Sequence, residues 1–526
     1  MMWLQRATAL LLCVGSAACV ADPPSTATSG VPIDALRSRL SSVVGDRLDI
    51  EGLSVGDGEL RKAERFGAGG VGRGRTPASP GDWAYTVGGA VNGGVALFTT
   101  GWGSTASCAD RLFVPVNGTT SNVWAFDNLY PSLPGGTTSC ANGGPDGGRC
   151  SSPYCPRRIW NVTVSGTLDR NSLTVSIDGS TVFAATTTGV LYALDTATGA
   201  TRWTLDVRST AELGASSGAT FRGAAPWVDY PTGIVYVAAS YASSSRFRVY
   251  KLSPTGAILA RWDSPTTVPE GVESSVVVWA GALYVGTTIG RVHKLLDNGG
   301  TFTAAPSPWP VQLTAKGAQR NQLVDVRGPI YGTPSIDVDN DLLAVTVNNV
   351  MWTVRLATGA AQSVEGGWQN ATEAAANNVP CYSSPWIDPT IRTMFVAHGK
   401  NQNNLPSQQN RVHRREYFAT GGFRTDNLTS VATAGVGNPV SLSDPKSSPL
   451  VLRQSASLAW VYVGDAGGIL NRWDYGTSFS NQQTFNTGAG AAGAIESPIM
   501  VDVLGGYIYF GSNAGRVYQI GQSTLR

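Results

Sequence analysis

The chain has 526 residues, a formal net charge of +2 and charged side chains at only 14% of positions. With no basic stripe in that balance, nucleic acid is excluded as a partner. Glycine at 63 positions and the near absence of long helical patterns point to many short strands joined by tight turns.

Met1 to about Cys19 carries Arg6, an apolar run from Ala7 to Val14 and the small residues Gly15 to Ala18. This reads as an export signal, too short to span a membrane as a mature helix. Ser16-Ala17-Ala18-Cys19 resembles a bacterial lipobox, which makes residues 1–18 a signal peptide and Cys19 the lipidation candidate. Ser16 stands where that pattern has Leu, so ordinary cleavage after Ala18 or Ala21 stays open. Residues 19–82 follow as a tether. Its parts are a Pro-, Ser- and Thr-rich stalk (Ala21 to Pro32), a short amphipathic helix with Ile33, Leu36, Leu40 and Val43 on one face, and a Gly/Arg-rich linker from Gly67 to Pro80.

From residue 83 to 526 one pattern recurs. It is clearest in Val182 to Trp203, VFAATTTGVLYALDTATGATRW, where Val182, Ala184, Val190, Tyr192 and Leu194 alternate with small or polar neighbours and Thr198-Gly199 supplies a tight turn. The pattern starts at Arg111 to Asp127 and returns at Gly233 to Trp262, Gly281 to Leu296, Leu342 to Gly359, Arg392 to Phe418, Ala459 to Asp474 and Gly506 to Ile520. In the Arg392 copy the turn has swollen into a long polar loop. Upstream of most copies lies a short phrase, as in Ala225-Pro226-Trp227, Thr333-Pro334-Ser335, Ser384-Pro385-Trp386, Ser448-Pro449-Leu450 and Ser497-Pro498-Ile499. Proline is tolerated where a strand begins, so the phrase opens a further strand. Eight four-stranded units bury their faces by stacking into a ring, and the predicted fold is all-β: an eight-bladed β-propeller of four-stranded antiparallel blades. The last copy ends without a fourth strand. Trp83-Ala84-Tyr85-Thr86-Val87, placed beside Val517 to Ile520, would supply it and cover the open edge.

The recurring phrase "S-P-strand, Y-V-G, turn, G-x-V-Y-A-L-D-x-x-T-G-x-x-x-W" resembles the repeat of the pyrroloquinoline-quinone-like (PQQ-like) propellers, over roughly Trp83 to Ile520. That family includes quinoprotein dehydrogenases and the propeller lipoprotein of the outer-membrane β-barrel assembly machinery. The resemblance implies two alternatives, because one architecture carries many activities. One is a non-catalytic envelope binding scaffold that needs no cofactor. The other is a dehydrogenase with PQQ and calcium in its channel and an Asp as base. The adjacent Cys-Cys pair of many quinoprotein alcohol dehydrogenases is missing, as is a heme-attaching C-x-x-C-H, and no Glu, Asn and Asp calcium set is found by motif. The favoured reading is the scaffold: a monomer, exported as an outer-membrane lipoprotein or a periplasmic or secreted protein. Its partner would be an envelope protein or another extracytoplasmic ligand, and it would touch membrane only through an N-terminal lipid.

Cys108, Cys140, Cys150 and Cys155 lie in or beside blade one, three of them in a Gly-rich insertion with little apolar content. Two disulfides would order it, with connectivity open; a zinc site is disfavoured by the lack of a paired C-x-x-C arrangement. Cys381 reads as a buried small hydrophobe. Aligning the opening phrases puts Glu273 and Glu496 at one position in blades four and eight, with Ser383 and Ser447 at that position in blades six and seven. All four are channel-facing candidates, and the two carboxylates, four blades apart, would face each other as a polar-ligand or cation site. Asp337, Asp339 and Asp341 alternate as in a calcium loop, but Leu342 stands where Gly is needed, which favours a polar hairpin turn. His398, Arg411, His413, Arg414 and Arg415 are binding-loop candidates in the predicted loop from Ala397 to Glu416. Trp160, Trp203, Trp262 and Trp368 are expected to pack between neighbouring blades.

Overall fold

The computed structural model describes residues 82–522 except 101–105, 119–121, 132–138, 151, 209–217, 242–244, 314, 317–324, 327, 348–349, 364–380, 399–410, 425–428, 433–446, 456, 477–478, 489–492 and 503–504. The predicted signal, lipidated Cys19, tether helix and linker lie outside the described residues, as does Trp368. Among the described residues the regular structure is strand, with a single 3-10 turn at Asp146–Gly148.

Eight antiparallel sheets follow one another along the chain in a ring, an eight-bladed β-propeller. Blade one is built from Ala96–Phe98, Arg111–Pro115, Val123–Asp127 and Arg157–Val162; blade two from Thr174–Val175, Thr181–Ala185, Val190–Asp195 and Thr201–Asp206. The remaining blades open with Trp227–Asp229, Val277–Trp279, Ser335–Asp337, Trp386–Asp388, Leu450–Ser455 and Met500–Asp502. Blade three gains a two-residue strand, Ala219–Thr220, and blade four gains Val311–Gln312. These opening strands are the innermost, because those of successive blades touch one another around the ring.

The structure gives a reason for the Ser/Thr-Pro phrase beyond strand initiation. The backbone N–H of Ala225 donates to Ser275 Oγ of the next blade (2.9 Å), that of Ser275 to Thr333 Oγ1 (3.3 Å), that of Thr333 to Ser384 Oγ (2.9 Å) and that of Ser384 to Ser448 Oγ (2.9 Å). A hydroxyl from each of blades four to seven thus satisfies a buried N–H of the blade before it, and the inner wall is stitched by hydrogen bonds as well as by packing.

On the outer side the stitching is aromatic. Trp160 donates its indole N–H to Thr196 O of blade two (3.0 Å), and Trp203 donates to Pro254 O of blade three (2.9 Å). Each ring lies against the Gly of its neighbour's turn. A Cβ on Gly199 (φ 73°) would stand 2.9 Å from Trp160, and one on Gly256 (φ 86°) 2.6 Å from Trp203. Glycine there permits both the left-handed backbone and the close approach of the ring.

The ring closes as the sequence predicts. Trp83–Thr86 pairs antiparallel with the last strand, Trp83 opposite Gln519 and Thr86 opposite Arg516. Trp83 is 2% exposed and donates its indole N–H to Leu129 O of blade one (3.3 Å). Gln519 Nε2 donates to the same carbonyl (2.9 Å), and the buried Tyr130 hydroxyl lies 2.7 Å from Asp502 Oδ2 and 3.2 Å from Asp110 Oδ2. Disulfides join Cys108 to Cys140 and Cys150 to Cys155. The second holds the insertion against the closing strand, where Tyr85 bridges Cys150 and the N–H of Thr86 donates to Arg149 O (2.8 Å).

Blade six differs from its sequence reading. Thr393–His398 and Arg411–Glu416 are paired strands, His398 opposite Arg411 and Thr393 opposite Glu416. Only 399–410 separates them, so Arg411, His413, Arg414 and Arg415 are strand residues and not loop residues. A continuous strand was hidden because His413 and Arg415 occupy positions where the repeat elsewhere has Tyr and Leu, as at Tyr192 and Leu194.

Candidate functional site

Strand register defines the channel wall. Ala96, Thr174, Trp227, Val277, Ser335, Trp386, Leu450 and Met500 occupy the same place, each opposite its blade's equivalent second-strand residue. Four residues earlier stand Asn92, Arg170, Gly223, Glu273, Tyr331, Tyr382 and Glu496 in blades one to six and eight. Glu273 and Glu496 are therefore equivalent, as aligned. Ser383 and Ser447 are not: they come one residue later. The alignment anchored on Ser-Pro, and Pro498 of blade eight sits one place earlier in register than Pro385 and Pro449.

The consequence is a change of role for the two serines. Ser383 Oγ accepts the N–H of Ala397 (3.2 Å) and Ser447 Oγ that of Gly464 (2.8 Å), so each ties its first strand to its own second strand from a buried position. The true occupants of the position in blades five and six are tyrosines, which no charge motif marks.

At this level the blades meet across the axis. The Arg170 guanidinium carbon lies 3.6 Å from the centre of the Tyr382 ring, joining blade two to blade six on the opposite side of the ring. Tyr331 stacks on Tyr382 with centroids 4.6 Å apart. Arg170 adopts φ 58°, a left-handed conformation that costs a long side chain about 1 kcal/mol or more. Its backbone N–H donates to Asn92 Oδ1 (3.3 Å), and Asn92 Nδ2 donates to Asp169 Oδ1 (2.9 Å). Asp169 also pairs with Arg222 of blade three (3.3 Å). Burial raises the Glu273 carboxyl above its ordinary value, Arg222 and Arg170 pull it back, and Asp169 pushes it up. The charges that act on Glu273 are those of two arginines and Asp169.

The other candidates are structural where described. Asp337 is buried, with its carboxylate accepting the backbone N–H groups of Asp339 and Asn340 (3.1 Å each), the Asn340 amide (2.7 Å) and the Tyr417 hydroxyl (2.6 Å). Asp341 takes φ 55° and accepts the N–H of Ala357 (3.1 Å). The Asp337, Asp339 and Asp341 run is a hairpin turn. No group of three or more His, Cys, Asp or Glu that could hold a metal ion occurs among the described residues. His413, Arg414 and Arg415 are buried, with Arg414 paired to Glu416 and Arg415 donating to Arg424 O (3.1 Å); the side chains of His398 and Arg411 lie outside the described residues. Burial pushes the Cys381 thiol up to about 11.

Eight four-stranded blades closed by an N-terminal strand place the molecule among the eight-bladed β-propellers, here with a mixed-charge aromatic cluster at one level of the channel. Solved propellers resemble it. Quinohemoprotein alcohol dehydrogenase from Comamonas testosteroni matches over 93% of this chain and 85% of its own, at 12% identity and a TM-score of 0.52. Quinohemoprotein alcohol dehydrogenase ADHIIG from Pseudomonas putida HK5 matches over 96% and 84%, at 11% identity and a TM-score of 0.52. BamB from Moraxella catarrhalis matches over 84% and 98%, at 16% identity and a TM-score of 0.48. At such identities the likeness is one of fold. No protein-family model matches the chain, and no curated protein matches it significantly.

Proposed function

We propose that the protein is a non-catalytic binding scaffold of the bacterial cell envelope, its propeller built on the PQQ-like repeat and carried on a lipidated Cys19. The observation that supports this most is the Arg170–Tyr382 contact across the channel. A planar quinone needs a flat open slot, whereas here Tyr382 is engaged by both Arg170 and Tyr331. Calcium needs six or more converging oxygens. Glu273 stands instead among arginines, and the acidic run at Asp337 serves a turn. Two disulfides suit an oxidising compartment, and no helix among the described residues is long and apolar enough to cross a membrane.

The second reading, a PQQ- and calcium-dependent dehydrogenase, draws on the fold shared with the two quinohemoprotein dehydrogenases. A test separates them. Purified protein incubated with PQQ and calcium is expected to reduce no dye with alcohols or sugars, and to retain a stoichiometric protein partner when crosslinked in envelope membranes. Turnover with any alcohol or sugar would replace the scaffold reading by the enzyme.

A further inference from the structure

We infer that the Cys150–Cys155 disulfide is a redox-sensitive latch on the closing strand. Oxidation seats the insertion of blade one along Trp83–Thr86 and completes the ring, and with both thiols reduced the strand opens. The inference concerns closure of the fold and does not depend on what the propeller binds.

The closing strand is placed differently from every other outer strand. In blades one to seven the outer strand follows the third strand along the chain, whereas Trp83–Thr86 arrives at Arg516–Gly521 from the other end of it. A segment held only by non-covalent contacts opens well below the free energy of global unfolding unless those contacts are many. Among the described residues, the outer strands of blades one to seven end their sheets, but Trp83–Thr86 is flanked on both edges. On the blade-eight edge the Val87 N–H donates to Gly515 O (2.8 Å). On the other edge the Thr86 N–H donates to Arg149 O (2.8 Å), Arg149 Nη1 donates to Thr86 O (3.1 Å) and Cys150 bridges Tyr85. There too the Tyr85 hydroxyl donates to Asp146 and Ser152 Oγ donates to Asp82 O.

Those contacts surround Cys150, and the insertion has little besides its cysteines to hold them in place. Among the described residues from 139 to 155 only Cys140, Cys150, Tyr154 and Cys155 are buried, and none from 141 to 149 is. A loop with so little apolar burial cannot offset its own conformational entropy, and a crosslink removes that entropy instead. The two disulfides divide the task. Cys108–Cys140 fixes where the insertion leaves blade one, with the Cys140 N–H donating to Tyr130 O (3.3 Å). Cys150–Cys155 closes the short loop that carries Cys150 and Ser152 onto the closing strand.

The chemistry balances as thiol–disulfide exchange with a disulfide oxidant. One cysteine thiolate attacks the oxidant's S–S bond, the other displaces the resulting mixed disulfide, and the Cys150–Cys155 bond forms. The oxidant leaves as two thiols, carrying the two electrons and two protons. In a reducing compartment both cysteines stay thiols and the strand's second edge is unsupported; in an oxidising one the latch sets. Cys150 is 4% and Cys155 2% exposed, so the seated disulfide is shielded from attacking thiols and closure, once made, is held.

Residue-resolved hydrogen exchange on the purified protein tests this, because the Thr86 and Val87 amides report the two edges of the strand separately. Both should exchange about tenfold or more faster in Cys150→Ser/Cys155→Ser than in the parent, with Val249 of blade three unchanged. Parent protein refolded in dithiothreitol should behave in the same way and regain protection at both amides when oxidised glutathione is added. Cys108→Ser/Cys140→Ser should leave both amides protected, and circular dichroism establishes that each form is folded. Fast Thr86 beside slow Val87 would overturn the latch, because the insertion would then lift off a strand that stays docked. Equal acceleration at Val249, or in Cys108→Ser/Cys140→Ser, would reduce the disulfide to a general staple. Unchanged exchange in the folded serine variant or in the reduced parent would also overturn the inference.

Discussion

At the junction of blades eight and one, Trp83 packs near Phe126 and Tyr509 with its indole N–H bonded to Leu129 O, and Tyr130 reaches carboxylates of both blades. At the channel level of blades two to six, Arg170 leans on Tyr382 and Glu273 stands among charges without a hydrogen bond. Both regions join parts of the chain far apart in sequence. The first joins them by deep apolar burial and by hydrogen bonds within the protein, which is what a ring needs where its ends must not part. The second leaves donors and acceptors open on the same rigid frame. The contrast separates residues that hold the ring from residues that the ring holds in place.

The sharpest way to break that contrast is Trp83→Ala. Removing a buried Trp from a closing strand should cost about 3–5 kcal/mol, read as a lower urea midpoint with a steeper loss of cooperativity than any channel variant shows. Next come the disulfides. Serine at Cys108 and Cys140, 32 residues apart, should cost about 4 kcal/mol by loop entropy; serine at Cys150 and Cys155, 5 residues apart, should cost about 2. Equal losses would mean that the shorter loop acts through its seat on Trp83–Thr86.

Two smaller effects should run the other way, toward stability. Burial raises the Glu273 carboxyl, so its folded form holds a proton that the unfolded chain has already released. The stability it contributes is full in acid and is lost as pH rises through its folded value. Glu273→Gln should therefore match the parent below the ordinary carboxylate range and melt higher near neutral pH. Arg170→Gly relieves a left-handed backbone and should gain up to about 1 kcal/mol in thermal melts.

The parts of this fold legible in the sequence were those with local chemistry. Strand period, turn glycines such as Gly199 and the unpaired Trp83 segment all act on near neighbours, so they show in a linear reading. Blade six was obscured because buried His413, Arg414 and Arg415 break the apolar period, their cost offset by partners such as Glu416 and Tyr475 that only folding supplies. The channel position was misread at Ser383 and Ser447 for a related reason. Register is a property of two paired strands, and a proline shifted by one residue in blade eight cannot reveal it alone.

By itself, then, the chain's order of residues determined how many blades form, where each turn falls and which segment closes the ring, because repetition and alternation are written along the backbone. Tertiary structure alone decided which side chains share the axis. Arg170 and Tyr382 lie more than two hundred positions apart, and the closure of the ring makes them neighbours.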